Sequence, residues 1–240
     1  CFLAIIFPAF FSAVSFAQTP KSIAAQLDSA LHISKSTPES AFAIATELLE
    51  KNRNTESDTL AGKIQLLRGK ILFQFGMFLE STEALYEAEH IFEKSEQKKL
   101  LAQVNNVLGE VYYKIKNSES ALRRHEQALN IYLDINDDAG EAVTKSFIGG
   151  MFEKIGSYPK ALEYQTESLQ LFESLGMKSE IAFVRENIGS IYEDLEKYDS
   201  AYSNFQIAFL MNSELGDSLR IISNLNNLGD VLRKTREAKK

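Results

Sequence analysis

Five glycines lie on one ruler. Gly69, Gly109, Gly149, Gly189 and Gly229 each stand forty residues from the next, in a chain of 240 residues with twelve glycines in all. Self-similarity at a fixed period marks an array in which one supersecondary unit stacks on the next. Other columns keep the same phase. Two places after each glycine come Ile71, Val111, Met151, Ile191 and Val231, and one place further come Leu72, Tyr112, Phe152, Tyr192 and Leu232. Small residues fall twelve places on, at Ser81, Ala121, Ala161 and Ala201, and nineteen places on, at Ala88, Ala128, Ser168 and Ala208. Twenty-two places on, Ile91, Ile131, Leu171 and Met211 are large and apolar.

Within a unit the apolar positions recur at helical spacing. Leu101, Ala102, Leu108, Val111 and Tyr112 form one stripe, and Ala121, Leu122, Ala128, Leu129, Ile131 and Tyr132 a second. Between them lies Lys116-Asn117-Ser118-Glu119, whose counterpart Gly156-Ser157-Tyr158-Pro159 puts Gly at the break and Pro in the first turn of the next helix. No segment sustains the two-residue alternation of a strand. Each unit is therefore expected to be a pair of antiparallel helices, and the chain all-α. Glycine inside a helix costs about 1 kcal/mol relative to alanine, so its recurrence needs a packing reason. The expectation is close approach of the two helices at each glycine, with the small residues twelve and nineteen places on completing the contact.

These columns, together with the aromatics nine places after the glycine (Phe78, Tyr158, Tyr198), resemble the tetratricopeptide repeat (TPR) over residues 58–240. The segments "ENIGSIYEDLEKYDSAYSNFQIAF" and "GSYPKALEYQTESLQLFESLG" read like its helix pairs. Two departures stand out: the period is forty rather than thirty-four, as in a long-helix subgroup, and Ser118 stands where the aromatic nine places after Gly109 should be. The resemblance implies a right-handed α-α superhelix, a TPR solenoid of stacked antiparallel helix pairs. It implies protein or peptide binding in place of catalysis.

The expected units are 58–96, 98–136, 138–175 and 178–214, with 218–240 the first helix of a further repeat. Residues 20–54 keep the columns poorly and read as an atypical N-terminal cap pair, since terminal repeats must present one face to water. For 218–240, the retained Gly229 favours a chain that continues beyond Lys240 over a closing cap. Residues 1–17, CFLAIIFPAFFSAVSFA, carry no charge and end in Ser15-Phe16-Ala17, small residues at the −3 and −1 places of a cleavage site. They read as a secretory signal without its basic start, cleaved after Ala17, and imply a secreted or periplasmic protein. The competing reading is a membrane anchor, for which the run is short against the ~20 residues of a span.

In a stacked array the first helices line the concave face. Residues three before, one after and four after each glycine are expected to point inward. The candidate groove residues are Lys70, Phe73, Asn106, Glu110, Tyr113, Glu153, Glu186, Asn187, Glu193, Asn226 and Asp230, a polar set that leans acidic. Amide side chains that both donate and accept suit an extended peptide backbone. The acid lean favours a basic or neutral partner. One TPR variant grips a C-terminal carboxylate with Lys and Asn on successive first helices. Glu110, Gly150, Glu186 and Glu193 at those places imply that this chain does not.

Several classes are excluded or disfavoured. With 26 basic against 33 acidic residues and a formal net charge of −7, nucleic acid is not the expected partner. The single Cys, Cys1, makes neither a bridge nor a metal site. His32, His90 and His125 fall in different units, without carboxylates or Cys at ligand spacing. No phosphate-binding glycine loop or nucleophile elbow occurs. Neither cofactor nor catalysis is expected, and His125 reads as half-buried packing. The reading is a non-catalytic scaffold outside the cytoplasm. The alternative is the N-terminal sensory region of a larger membrane signalling protein, a histidine kinase or DNA-binding regulator, with membrane contact only if the chain continues past Lys240.

Overall fold

The computed structural model describes residues 22–34, 36–52 and 58–238. The signal segment at 1–17 lies outside them. All the secondary structure among them is α-helical: α1 (Ile23–Ile33), α2 (Pro38–Asn52), α3 (Asp58–Gln74), α4 (Phe78–Lys94), α5 (Lys98–Lys114), α6 (Ser118–Asp134), α7 (Asp138–Lys154), α8 (Tyr158–Leu175), α9 (Lys178–Asp194), α10 (Tyr198–Leu215) and α11 (Ser218–Ala238). None of these helices is long and apolar enough to cross a membrane.

Each connection from α3 onward is the same device. From α3 to α10 every helix is followed by a residue in left-handed conformation: Gly76, Glu96, Lys116, Asn136, Gly156, Gly176, Glu196 and Gly216. The next amide then reaches back five residues, as from Met77 to Leu72 (2.9 Å) and from Lys197 to Tyr192 (2.8 Å), satisfying a carbonyl that the helix end leaves open. Asn117 and Asp137 start α6 and α7 by accepting the amides of Ser120 and Gly140, both at 3.1 Å. Short, identical turns force each helix to run antiparallel to the last.

Helices pack in sequence order, and the odd-numbered ones also touch from pair to pair: α1 with α3, α3 with α5, α5 with α7, α7 with α9. Among the described helices no even–even pair packs comparably. The odd helices therefore converge along the inner side of a superhelix and the even ones fan out on its outer side, the architecture of a right-handed solenoid of stacked helix pairs. Its core runs as a chain of clusters, among them Leu85, Phe92, Val104 and Leu108 between α4 and α5, and Phe172, Val184 and Ile188 between α8 and α9.

The glycine columns do permit close approach, but not through the expected partners. The side chain lying over each of the first four glycines comes from sixteen places on. A β-carbon built on Gly69 would stand 2.7 Å from Leu85, on Gly109 2.6 Å from His125, on Gly149 2.9 Å from Gln165 and on Gly189 2.7 Å from Phe205. The small residues at twelve and nineteen are fully buried beside this contact, and the Ser81 hydroxyl donates to the Gly69 carbonyl at 2.8 Å. A helix pair this close has its gap filled by one large side chain of the second helix. Hence His125 is not half-buried but 2% exposed.

Candidate functional site

The inner face carries a cavity of about 230 Å³ over α3, α5, α7 and α9. Its walls include Phe73, Glu110, Tyr113, Phe147, Gly150 and Phe183, with Lys114, Lys154, Glu153 and Asn187 around them. Toward the starts of α5 and α7 a second hollow continues along the same face, with Lys70, Asn106, Glu110 and Phe147 in its lining.

Of the residues expected to face inward, Phe73, Glu110, Tyr113, Glu153 and Asn187 line the main cavity, and Lys70, Asn106 and Glu110 the second. Their availability differs. Asn106 is 6% exposed and committed within the stack, its Nδ2 donating to Thr144 Oγ1 at 2.8 Å and its Oδ1 lying 3.0 Å from Nδ1 of His125. Asn187 donates to Ser146 Oγ at 3.2 Å, and Glu153 accepts from Ser190 Oγ at 2.6 Å.

Glu186 and Glu193 are bound into the array on the α9 side. Glu186 accepts from Asn212 (3.0 Å), Asn224 (2.8 Å) and Arg220 (3.0 Å), and Glu193 takes Lys234 at 2.7 Å. Asn226 and Asp230 are exposed on α11 and line neither hollow. Odd helices thus use many of their polar inward groups to hold the next repeat.

Several lining residues escape an inward set taken only at three before, one after and four after the glycine. Phe147 lies two before Gly149, Phe183 six before Gly189, and Lys114 and Lys154 five after their glycines. Extending the same helical stripe one turn toward the N-terminus and one residue toward the C-terminus reaches Phe183 and the two lysines, and Phe147 holds the place that Asn187 holds two residues before Gly189. They change the character of the site. The cavity is aromatic at its walls, and its two carboxylates are matched by two lysines, so the acid lean of the sequence reading does not extend into it.

Electrostatics single out Glu110. Burial pushes its carboxyl up to about 7, against the opposing pull of Lys70 and Lys114, and burial lowers Lys70 in turn. His125, at the floor, is pushed down to about 4 by burial. Its ring stacks on Phe147 with centroids 5.1 Å apart. Among the described residues no group of three or more His, Cys, Asp or Glu is placed to hold a metal ion.

No family model matches the chain, and no curated protein matches it. Solved structures do. Aspartyl phosphate phosphatase F from Bacillus subtilis superimposes with a TM-score of 0.75 at 13% identity, over 90% of this chain and 58% of that one. BtubC from P. vanneervenii matches with a TM-score of 0.68 at 19% identity, over 90% and 85% of the two chains. A Rap protein complexed with Competence and Sporulation Factor gives 0.68 at 18% identity, over 90% and 72%. At such identities the likeness speaks for the fold, and it agrees with the helix packing: the chain is a TPR-like helical solenoid.

Proposed function

We propose that the protein is a non-catalytic scaffold that binds a peptide or an extended protein segment along its inner face, anchoring one apolar side chain in the aromatic-walled cavity. The observation that carries this is the cavity itself, in which Phe73, Tyr113, Phe147 and Phe183 from four successive odd helices converge. Apolar concavities with a few placed polar groups are the usual form of a binding site. The similarity to a Rap protein complexed with Competence and Sporulation Factor supports the same reading. A formal net charge of −7 favours a neutral or basic segment on either side of the anchor. The uncharged run at 1–17 supports action outside the cytoplasm.

Gly150 provides the test. It lies on the cavity wall, and a β-carbon there would meet nothing within 4 Å. Gly150→Trp therefore fills the groove without disturbing the stack. Peptides selected from a random library on the wild-type protein are expected to lose at least tenfold in affinity for Gly150→Trp. Unchanged affinity across the selected set would overturn the assignment of the groove.

A further inference from the structure

The cavity floor differs from the other repeats in one side chain. In the place that lies over the glycine, the other second helices present Leu85, Gln165 and Phe205; only α6 presents an imidazole. The hydrogen bonds around His125 dictate its tautomer. Thr144 Oγ1 donates to the Gly140 carbonyl at 2.8 Å, so toward Asn106 it acts as acceptor. Asn106 must therefore turn its Nδ2 to Thr144 and its Oδ1 to the ring, at 2.8 and 3.0 Å. An amide oxygen can only accept, so Nδ1 carries the proton and Nε2 the lone pair. Nε2 has no hydrogen-bond partner among the described residues.

Resting on the groove reading above, we infer that the cavity selects a ligand side chain with an apolar ring and a hydrogen-bond donor at its tip, received by Nε2 of His125. The stacked Phe147 and the neighbouring Phe73, Tyr113 and Phe183 suit the ring. About 150 Å³ of apolar cavity already holds a benzene ring. A buried acceptor left unpaired is costly, so a ring that brings a donor is favoured over one that does not. Tyrosine and tryptophan are the peptide side chains with this chemistry. Burial keeps His125 neutral, so the acceptor persists through the physiological range. Glu110, Glu153, Ser146, Asn187 and Tyr113 also bring acceptor oxygens to the cavity, and the test must separate them from Nε2.

The probes are p-cresol and toluene, the side chains of tyrosine and phenylalanine, titrated into the full chain by NMR. The wild type is expected to bind p-cresol about tenfold more tightly than toluene. The ¹⁵N resonance of His125 Nε2 should move with p-cresol and stay still with toluene. In His125→Leu, which copies Leu85 of α4, the preference should vanish while toluene still binds. Equal binding of the two probes to the wild type, or a still Nε2 resonance, overturns the inference and leaves the groove standing. A preference that survives His125→Leu assigns the ligand's hydrogen bond to another acceptor of the cavity, Glu110 where the preference changes with its charge near pH 7, and overturns the inference as well. Failure of both probes to bind, or binding undiminished in Gly150→Trp, overturns the cavity reading and this inference together.

Discussion

Phe205 occupies the space that a β-carbon on Gly189 would need, at 2.7 Å from the ring, while the corresponding space at Gly229 is empty to 4 Å. The same column therefore has opposite consequences at its last two places. Gly189→Ala must displace a fully buried ring and is expected to cost 1–3 kcal/mol, about the cost of overpacking a core. Gly229→Ala meets nothing, relieves the helix penalty of glycine and is expected to gain about 1 kcal/mol in α11. Chemical denaturation of both variants checks the pair, and a loss at both positions would refute the account of this column.

Glu186 ties three chain segments together through its contacts to Asn212, Asn224 and Arg220. Asn212 stands where Phe92, Tyr132 and Phe172 stand in earlier repeats, so the last complete pair joins α11 by a polar seam in place of an aromatic one. Asn212 and Asn224 are both fully buried. Glu186→Ala leaves two buried amides and a guanidinium short of an acceptor and is expected to cost about 3 kcal/mol, concentrated at this seam. Hydrogen exchange should show protection lost across 218–238 and kept in α3–α6. Uniform loss, or none, would contradict the seam.

The architecture was legible because it is written in small residues at a fixed interval, and small residues report backbone distance directly. What the columns could not report was which side chain fills the space they create. Leu85, His125, Gln165 and Phe205 share no chemistry, only a volume and a position, so their column is invisible to any scan for similar residues. The inner face was legible in outline from the −3, +1 and +4 positions for the related reason that a helix has only one face opposite its core. Its character was not. Whether an inward Asn or Glu is free or bound depends on residues about forty positions away, as with Asn106 and Thr144 or Glu186 and Asn224, and such pairs leave no local signal.

Turn chemistry yields a third expectation. Glu96, Lys116 and Glu196 hold the left-handed conformation that Gly76, Gly156, Gly176 and Gly216 hold at the equivalent turns. For a residue with a β-carbon this conformation costs about 1–2 kcal/mol, part of which glycine returns as greater freedom of the unfolded chain. Glu196→Gly is expected to stabilise the protein by about 0.5–1 kcal/mol and to raise the melting temperature by about 2 °C. A lower melting temperature would contradict it.

Stability against pH tests the cavity from within, because His125 and Glu110 work in opposite directions. Burial lowers His125 from 6.5 to about 4, so its neutral form is the one the fold accepts. That contribution is complete above pH 6.5 and is lost as pH falls toward 4, amounting to about 3 kcal/mol over the interval. Glu110 is raised from 4.5 to about 7, so its contribution is complete below pH 4.5 and is lost as pH rises through 7. In the wild type the two slopes oppose each other between pH 4.5 and 6.5. Glu110→Gln removes the second, so relative to wild type the variant should be unchanged near pH 4 and more stable at pH 8. His125→Leu removes the first and should show its largest deficit at pH 7, narrowing as the solution is acidified. Urea midpoints at pH 4.5, 6 and 7.5 distinguish these shapes, and curves parallel to wild type for either variant would mean that the group titrates as it does in water.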